Sequence, residues 1–121
     1  MSQQQDNFKR GTAEMLVLHL LQGGDLYGYE ITKAFKEKSD GNYTMIEAAL
    51  YVVLYRLVNA GYISDYEKLV GARRRRRYYH LEEKGREYYK EILQEYLTVT
   101  KSIAQILDME CEFSDNAEGN Q

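Results

Sequence analysis

The chain has 121 residues and carries 16 Lys and Arg against 19 Asp and Glu, a net charge of −3, so one small domain is expected. Hydrophobic residues make up 44% of it, enough for a core, and a single cysteine excludes an intrachain disulfide and a thiolate metal cluster. No apolar run reaches membrane-spanning length and no signal-peptide pattern opens the chain, which makes a reducing cytoplasm the expected setting.

Met1 to Asn7 is polar and is expected to fray. From Phe8 the pattern turns helical, with Ala13, Leu16, Val17, Leu20 and Leu21 recurring at three and four until Gly23-Gly24-Asp25 ends the run. A second helix follows. Tyr27, Ile31, Ala34 and Phe35 form its apolar stripe, Glu30, Lys33, Lys36 and Glu37 face water, and Ser39-Asp40-Gly41-Asn42 is a turn. A third helix opens at Thr44, where Thr44-Met45-Ile46-Glu47 has the spacing of a capping box. Leu50, Val53, Leu54, Leu57 and Val58 make its inner stripe, and Thr44, Ala48, Tyr51 and Tyr55 lie opposite. Gly61 stops it. Tyr62 to Leu69 and Arg75 to Leu81 then read as a hairpin, with Val70-Gly71-Ala72-Arg73-Arg74 at its tip. A long last helix starts at Glu82 or Glu83. Tyr89, Ile92, Tyr96, Val99 and Ile103 repeat at three and four along it, and a second row of Tyr88, Leu93, Leu97 and Thr100 widens that face. One helix with two apolar rows in a chain this short has more surface than its own domain covers, so a second subunit is the expected recipient.

The charge is unevenly placed. The stretch from Asp108 to Gln121 holds five acids and no Lys or Arg, which leaves 14 acidic against 16 basic residues in the body. Arg73 to Arg77 are five arginines in a row at the hairpin. Such a run needs solvent or a polyanion beside it, and a phosphate backbone is the natural partner. Alternation along a strand sends neighbours to opposite faces. Arg73, Arg74 and Arg76 are therefore expected at phosphates, and Arg75 and Arg77 against acids or tyrosine rings. Arg56 is divided between an ion pair and phosphate. His19 and His80 have no ligand neighbours at suitable spacing, so no metal is expected. Neither a nucleophile–base pattern nor a phosphate-binding glycine loop is present, which argues against an enzyme and against a cofactor.

Helix, helix, turn, helix, hairpin, long helix is the order of a winged helix-turn-helix: mainly α with a small β-hairpin (α+β), plus a long C-terminal dimerisation helix. The expected division is 8–81 for DNA binding, 82–108 for dimerisation and 109–121 for an acidic disordered tail. Thr44, Ala48 and Tyr51 would enter a major groove while the arginine wing follows the flanking backbone.

Gly28-Tyr29-Glu30-Ile31, Ala49-Leu50-Tyr51, Leu54-Tyr55-Arg56-Leu57, Ala60-Gly61-Tyr62-Ile63, and the segment from Gly71 through Tyr78-Tyr79-His80-Leu81 to Lys84-Gly85 resemble the PadR-like transcriptional regulators. The likeness is to the small subgroup with a single C-terminal helix. It implies a homodimeric repressor on a palindromic operator of double-stranded DNA, released when a small molecule binds; the tyrosines of the last helix could line a cavity for a small, flat aromatic effector. Val52 stands where the family often has proline, Glu82 where it often has threonine, and Tyr96 where several small members carry a pore-lining tryptophan. The rival reading is a winged-helix protein-interaction module whose basic loop grips an acidic protein.

Overall fold

The computed structural model of the chain describes residues 3–110. Its elements are α1 (Gln3–Lys9), α2 (Ala13–Leu21), β1 (Leu26–Tyr27), α3 (Gly28–Lys38), α4 (Glu47–Asn59), β2 (Ile63–Val70), β3 (Arg74–Leu81) and α5 (Glu83–Ile106). The strands form one antiparallel sheet in the order β1-β3-β2. Helices α2, α3 and α4 pack together against it. Their apolar stripes meet in one core: Val17, Leu18 and Leu21, then Ile31 and Phe35, then Leu50, Val53, Leu54 and Leu57, closed by Ile63, Tyr79 and Leu81 of the sheet. Each fully buried Leu or Ile here contributes roughly 1.5–3 kcal/mol relative to exposure. Among the described residues, no helix is long and apolar enough to cross a membrane.

Three local features differ from the sequence expectation. The N-terminal segment is helical from Gln3, and the helical run expected from Phe8 is broken at Arg10-Gly11-Thr12. Gly11 takes φ +86° there, and the Thr12 hydroxyl donates to the Lys9 carbonyl at 2.6 Å. Phe8 is left exposed. Second, Leu26 and Tyr27 form a strand, pairing with Tyr79 and Tyr78. Tyr27 therefore precedes the second predicted helix rather than joining its stripe, and the Glu30 carboxylate reaches back to accept from the Tyr27 amide at 3.1 Å. Third, the third helix does not open at Thr44. Helix α4 starts at Glu47, with Ile46 as its extended N-cap and no side-chain cap. The preceding turn explains this. The Ser39 hydroxyl accepts from the Tyr43 amide at 2.8 Å and donates to the Phe35 carbonyl at 2.7 Å. The Tyr43 ring meets Phe35 edge-on, and its hydroxyl lies 2.6 Å from Thr12 Oγ1. Held at that end, the chain stays extended, and Met45 packs, partly buried, against the core.

Helix α5 leaves the sheet over Gly85. A Cβ built at Gly85 would fall against the Tyr62 carbonyl and the Leu81 side chain, inside contact distance of both. That carbonyl already accepts from the Glu82 amide at 3.0 Å, so it has little room to move. Gly85→Ala is expected to cost about 1–3 kcal/mol through overpacking, read as a lowered thermal midpoint. Beyond Gly85 the Tyr62 and Tyr88 rings stack at 4.1 Å, and Tyr89 places its hydroxyl 2.8 Å from His19 Nδ1. Glu82 caps nothing with its side chain and accepts instead from the Ser64 hydroxyl at 2.6 Å. From Asp108 on, the acidic tail has two further described residues; the rest of that expectation lies outside the described residues.

Candidate nucleic-acid interface

Helix α4 buries Leu50, Val53, Leu54 and Leu57. That choice of stripe leaves Glu47, Ala48, Tyr51, Val52 and Tyr55 outward. Of the residues expected to contact DNA, Ala48 and Tyr51 thus share one exposed face, and Thr44 sits half-buried ahead of the helix. The Tyr51 ring leans on the start of α3, where a methyl at Gly28 would lie 3.1 Å from its hydroxyl oxygen. Charges of both signs flank the head of α4. One groove carries Lys33 and Lys36 with Glu37 and Asp40 beside Thr44, and the other carries Lys9, Arg10 and Arg56 with Asp6, which pairs with Lys9 at 3.5 Å. Sequence marks Lys33 and Lys36 only as solvent-facing, because nothing in their spacing points across to α4. Arg56 pairs with Glu14 at 3.7 Å.

Beside α4, the hairpin turns through Gly71-Ala72-Arg73, with Gly71 at φ +82° and ladder partners Val70 and Arg74 closing the loop. Strand alternation then divides the cations. On the face continuous with buried Tyr79 and Leu81, Arg77 reaches Asp65 Oδ2 at 2.9 Å and Glu67 Oε1 at 3.1 Å, and Arg75 reaches Glu67 Oε2 at 3.4 Å. The Arg77 guanidinium is driven further above its ordinary range, first by its hydrogen bond to Asp65. On the opposite face Arg76 lies 4.3 Å over the Tyr27 ring and Lys68 5.5 Å over Tyr78. Arg73 and Arg74, at the tip, have no ion-pair or ring partner among the described residues. Exposed pairs of this kind add little to stability, so their main effect is on local charge.

A second arrangement braces the base of the wing. Tyr66 donates to Asp25 Oδ2 at 2.7 Å, and His80 Nδ1 lies 2.8 Å from Asp25 Oδ1. Tyr66 first, then His80, hold the Asp25 carboxyl below its usual range. A carboxylate with a depressed pKa stabilises the fold above its unfolded pKa of about 3.9, and that contribution fades as pH falls through the folded value. Asp25→Asn is therefore expected to lower the melting point at pH 7. Its deficit should shrink as pH falls below about 4, where the unfolded wild-type chain takes up the proton first, and close once the folded carboxyl is protonated as well. Melting curves across that range check both statements. The sequence offers no signal for this brace, since its members are 41 and 55 residues apart. Among the described residues, no group of His, Cys, Asp and Glu is arranged to hold a metal ion.

The model of the PadR-like transcriptional regulator family matches residues 17–91, which is more than half of the chain and takes in α3, α4 and the whole wing. The chain belongs to the PadR-like family of transcriptional regulators. A transcriptional regulator of Clostridium thermocellum is 36% identical, with 82% of this chain and 95% of that one covered at a TM-score of 0.74. A PadR family regulator of hypervirulent Clostridium difficile is 30% identical, covering 80% of this chain and 99% of its own, at 0.70. Bacillus subtilis PadR, solved in complex with operator DNA, is 28% identical over 66% of this chain at 0.62; the match spans 45% of that longer protein. The α+β architecture is that of the winged-helix PadR regulators, whose members regulate transcription and are not enzymes. In this PadR-family chain β2–β3 form the wing of the winged-helix fold, beside α4.

Proposed function

We propose that this PadR-family regulator is a homodimeric repressor that reads a palindromic operator. Helix α4 enters the major groove with Ala48 and Tyr51 foremost and Thr44 at its head. The wing follows the adjoining backbone with Arg73, Arg74 and Arg76. The observation that carries the reading is charge placement: Lys68, Arg73, Arg74 and Arg76 crowd the tip and outer face of the wing with no acid paired to them among the described residues, although the whole chain is acidic. The operator complex of Bacillus subtilis PadR supports it by likeness.

Dimerisation runs through α5. Tyr89 and Ile92 pack on the chain's own core, and Tyr96, Val99 and Ile103 remain outward for a second subunit. A small flat aromatic effector would lodge beside Tyr96, between two such helices, and favour a dimer whose reading heads no longer match the half-sites. The 8–81, 82–108 and 109–121 division follows the same roles.

The rival protein-interaction reading draws on Ile46 and Val52, which are 73% and 59% exposed beside the recognition face. Thymine methyl groups satisfy such side chains equally well. Selection of bound duplexes from a random pool decides. A palindrome with half-sites about one turn apart, ~34 Å, is expected; failure to enrich any duplex would refute the DNA reading.

A further inference from the structure

The wing contains six cations, Lys68 and Arg73 to Arg77, and two acids facing two of them. The ladder register sets Glu67 directly opposite Arg77 and Asp65 opposite Tyr79, so both carboxylates project on the side of Arg75 and Arg77. Glu67 divides its two oxygens between the two arginines, and Arg77 spreads its two terminal nitrogens over both carboxylates. That face is neutral. Lys68, Arg74 and Arg76 on the other face and Arg73 at the turn meet no acid among the described residues. The neutralised side also borders the cleft lined by Tyr51 and Tyr55 of α4, next to the groove-reading face.

Resting on the DNA-binding reading above, we infer that Asp65 and Glu67 are built-in counter-ions that restrain sequence-independent binding by withholding Arg75 and Arg77 from phosphates. A run of five arginines without them would bind any duplex tightly, because phosphate neutralisation with counter-ion release is blind to sequence. With them, the wing offers only its outer face and tip to the backbone. Base contacts by α4 then make up a larger share of operator affinity, and the ratio of specific to random binding rises. Phosphates that displaced the carboxylates would still leave two negative charges within a Debye length, about 8 Å, of the backbone, so the restraint persists in the complex. Asp65 and Glu67 are thus specificity-determining residues that touch no base.

The test is the double variant Asp65→Asn/Glu67→Gln, measured by fluorescence anisotropy on a labelled random-sequence duplex and on the selected operator over a range of salt. Random-duplex affinity is expected to rise at least tenfold, and operator affinity by less. Log affinity against log salt should steepen by about 0.9 for each freed arginine, roughly 3 to 4 for a dimer. Glu87→Gln/Glu91→Gln, on the exposed side of α5, changes net charge equally and should leave the slope unaltered. Glu67→Gln alone, which frees Arg75 and half of Arg77, should give an intermediate slope and guards against misfolding of the double variant. An unchanged slope, or weaker binding with an intact melting curve, overturns the inference and leaves the pairs as a brace of the hairpin. If wild type binds no duplex in any salt, the DNA reading itself fails, and that outcome does not depend on the acids.

Discussion

Alanine at Arg73, Arg74 and Arg76 together is expected to weaken binding to operator and random duplex alike, on the order of a hundredfold or more at moderate salt. The size of the effect follows from what a guanidinium does at a phosphate. It makes a charge-assisted hydrogen bond, worth about 1.5–3 kcal/mol, and it releases condensed counter-ions. A dimer would forfeit up to about six such bonds, so the plot of log affinity against log salt should become shallower by roughly 5. Arg73 and Arg74 have no ion-pair or ring partner on the wing, and Arg76 gives up only the face of Tyr27, so the hairpin should stay folded. A salt titration of duplex binding, with a circular dichroism spectrum alongside, measures both parts. Unchanged affinity and slope would remove the wing from the interface.

The second large effect concerns α5. Val99 and Ile103 are 57% and 51% exposed in the single chain and are not members of its buried core. Lysine at both positions is expected to yield a folded monomer in sedimentation, because a charge on that stripe costs a lone chain nothing and a zipped pair a great deal. Ile92 is a poorer site for such a test, since it packs on the core and its removal would damage the monomer. Because two linked half-site interactions become one, operator affinity should fall by about a hundredfold or more, with no change to the recognition helix itself. A double variant that sedimented as a dimer would place the subunit interface elsewhere.

The parts of the fold written as a period are legible from sequence. The stripe of Leu50, Val53, Leu54 and Leu57 announces α4, and the alternation of the arginine run sorts Arg75 and Arg77 from Arg74 and Arg76. The three-and-four repeat from Tyr89 to Ile103 announces α5, though not where the chain's own core stops covering it. What escapes is fixed across the molecule rather than along it. A strand of two residues has no period, and Leu26 and Tyr27 become one only because Tyr78 and Tyr79 lie beside them. Thr44 carries a capping pattern, but Ser39 and Tyr43 fix the turn before it and postpone the helix to Glu47. The brace of Asp25 by Tyr66 and His80 joins segments that no local pattern relates.

The chain contains 12 tyrosines and no tryptophan, so its ultraviolet emission is that of phenol alone. Three of those phenols stand together on the outer side of the wing: Tyr66 stacked on Tyr78, and Tyr27 beneath the guanidinium of Arg76. An arginine that lifts from its ring to meet a phosphate changes that ring's surroundings. The protein therefore has an optical reporter, free of any attached dye, at the spot where a duplex would arrive. Its signal would add to that of Tyr51 and Tyr55 on α4, so the phenols together would follow the arrival of a duplex at both elements.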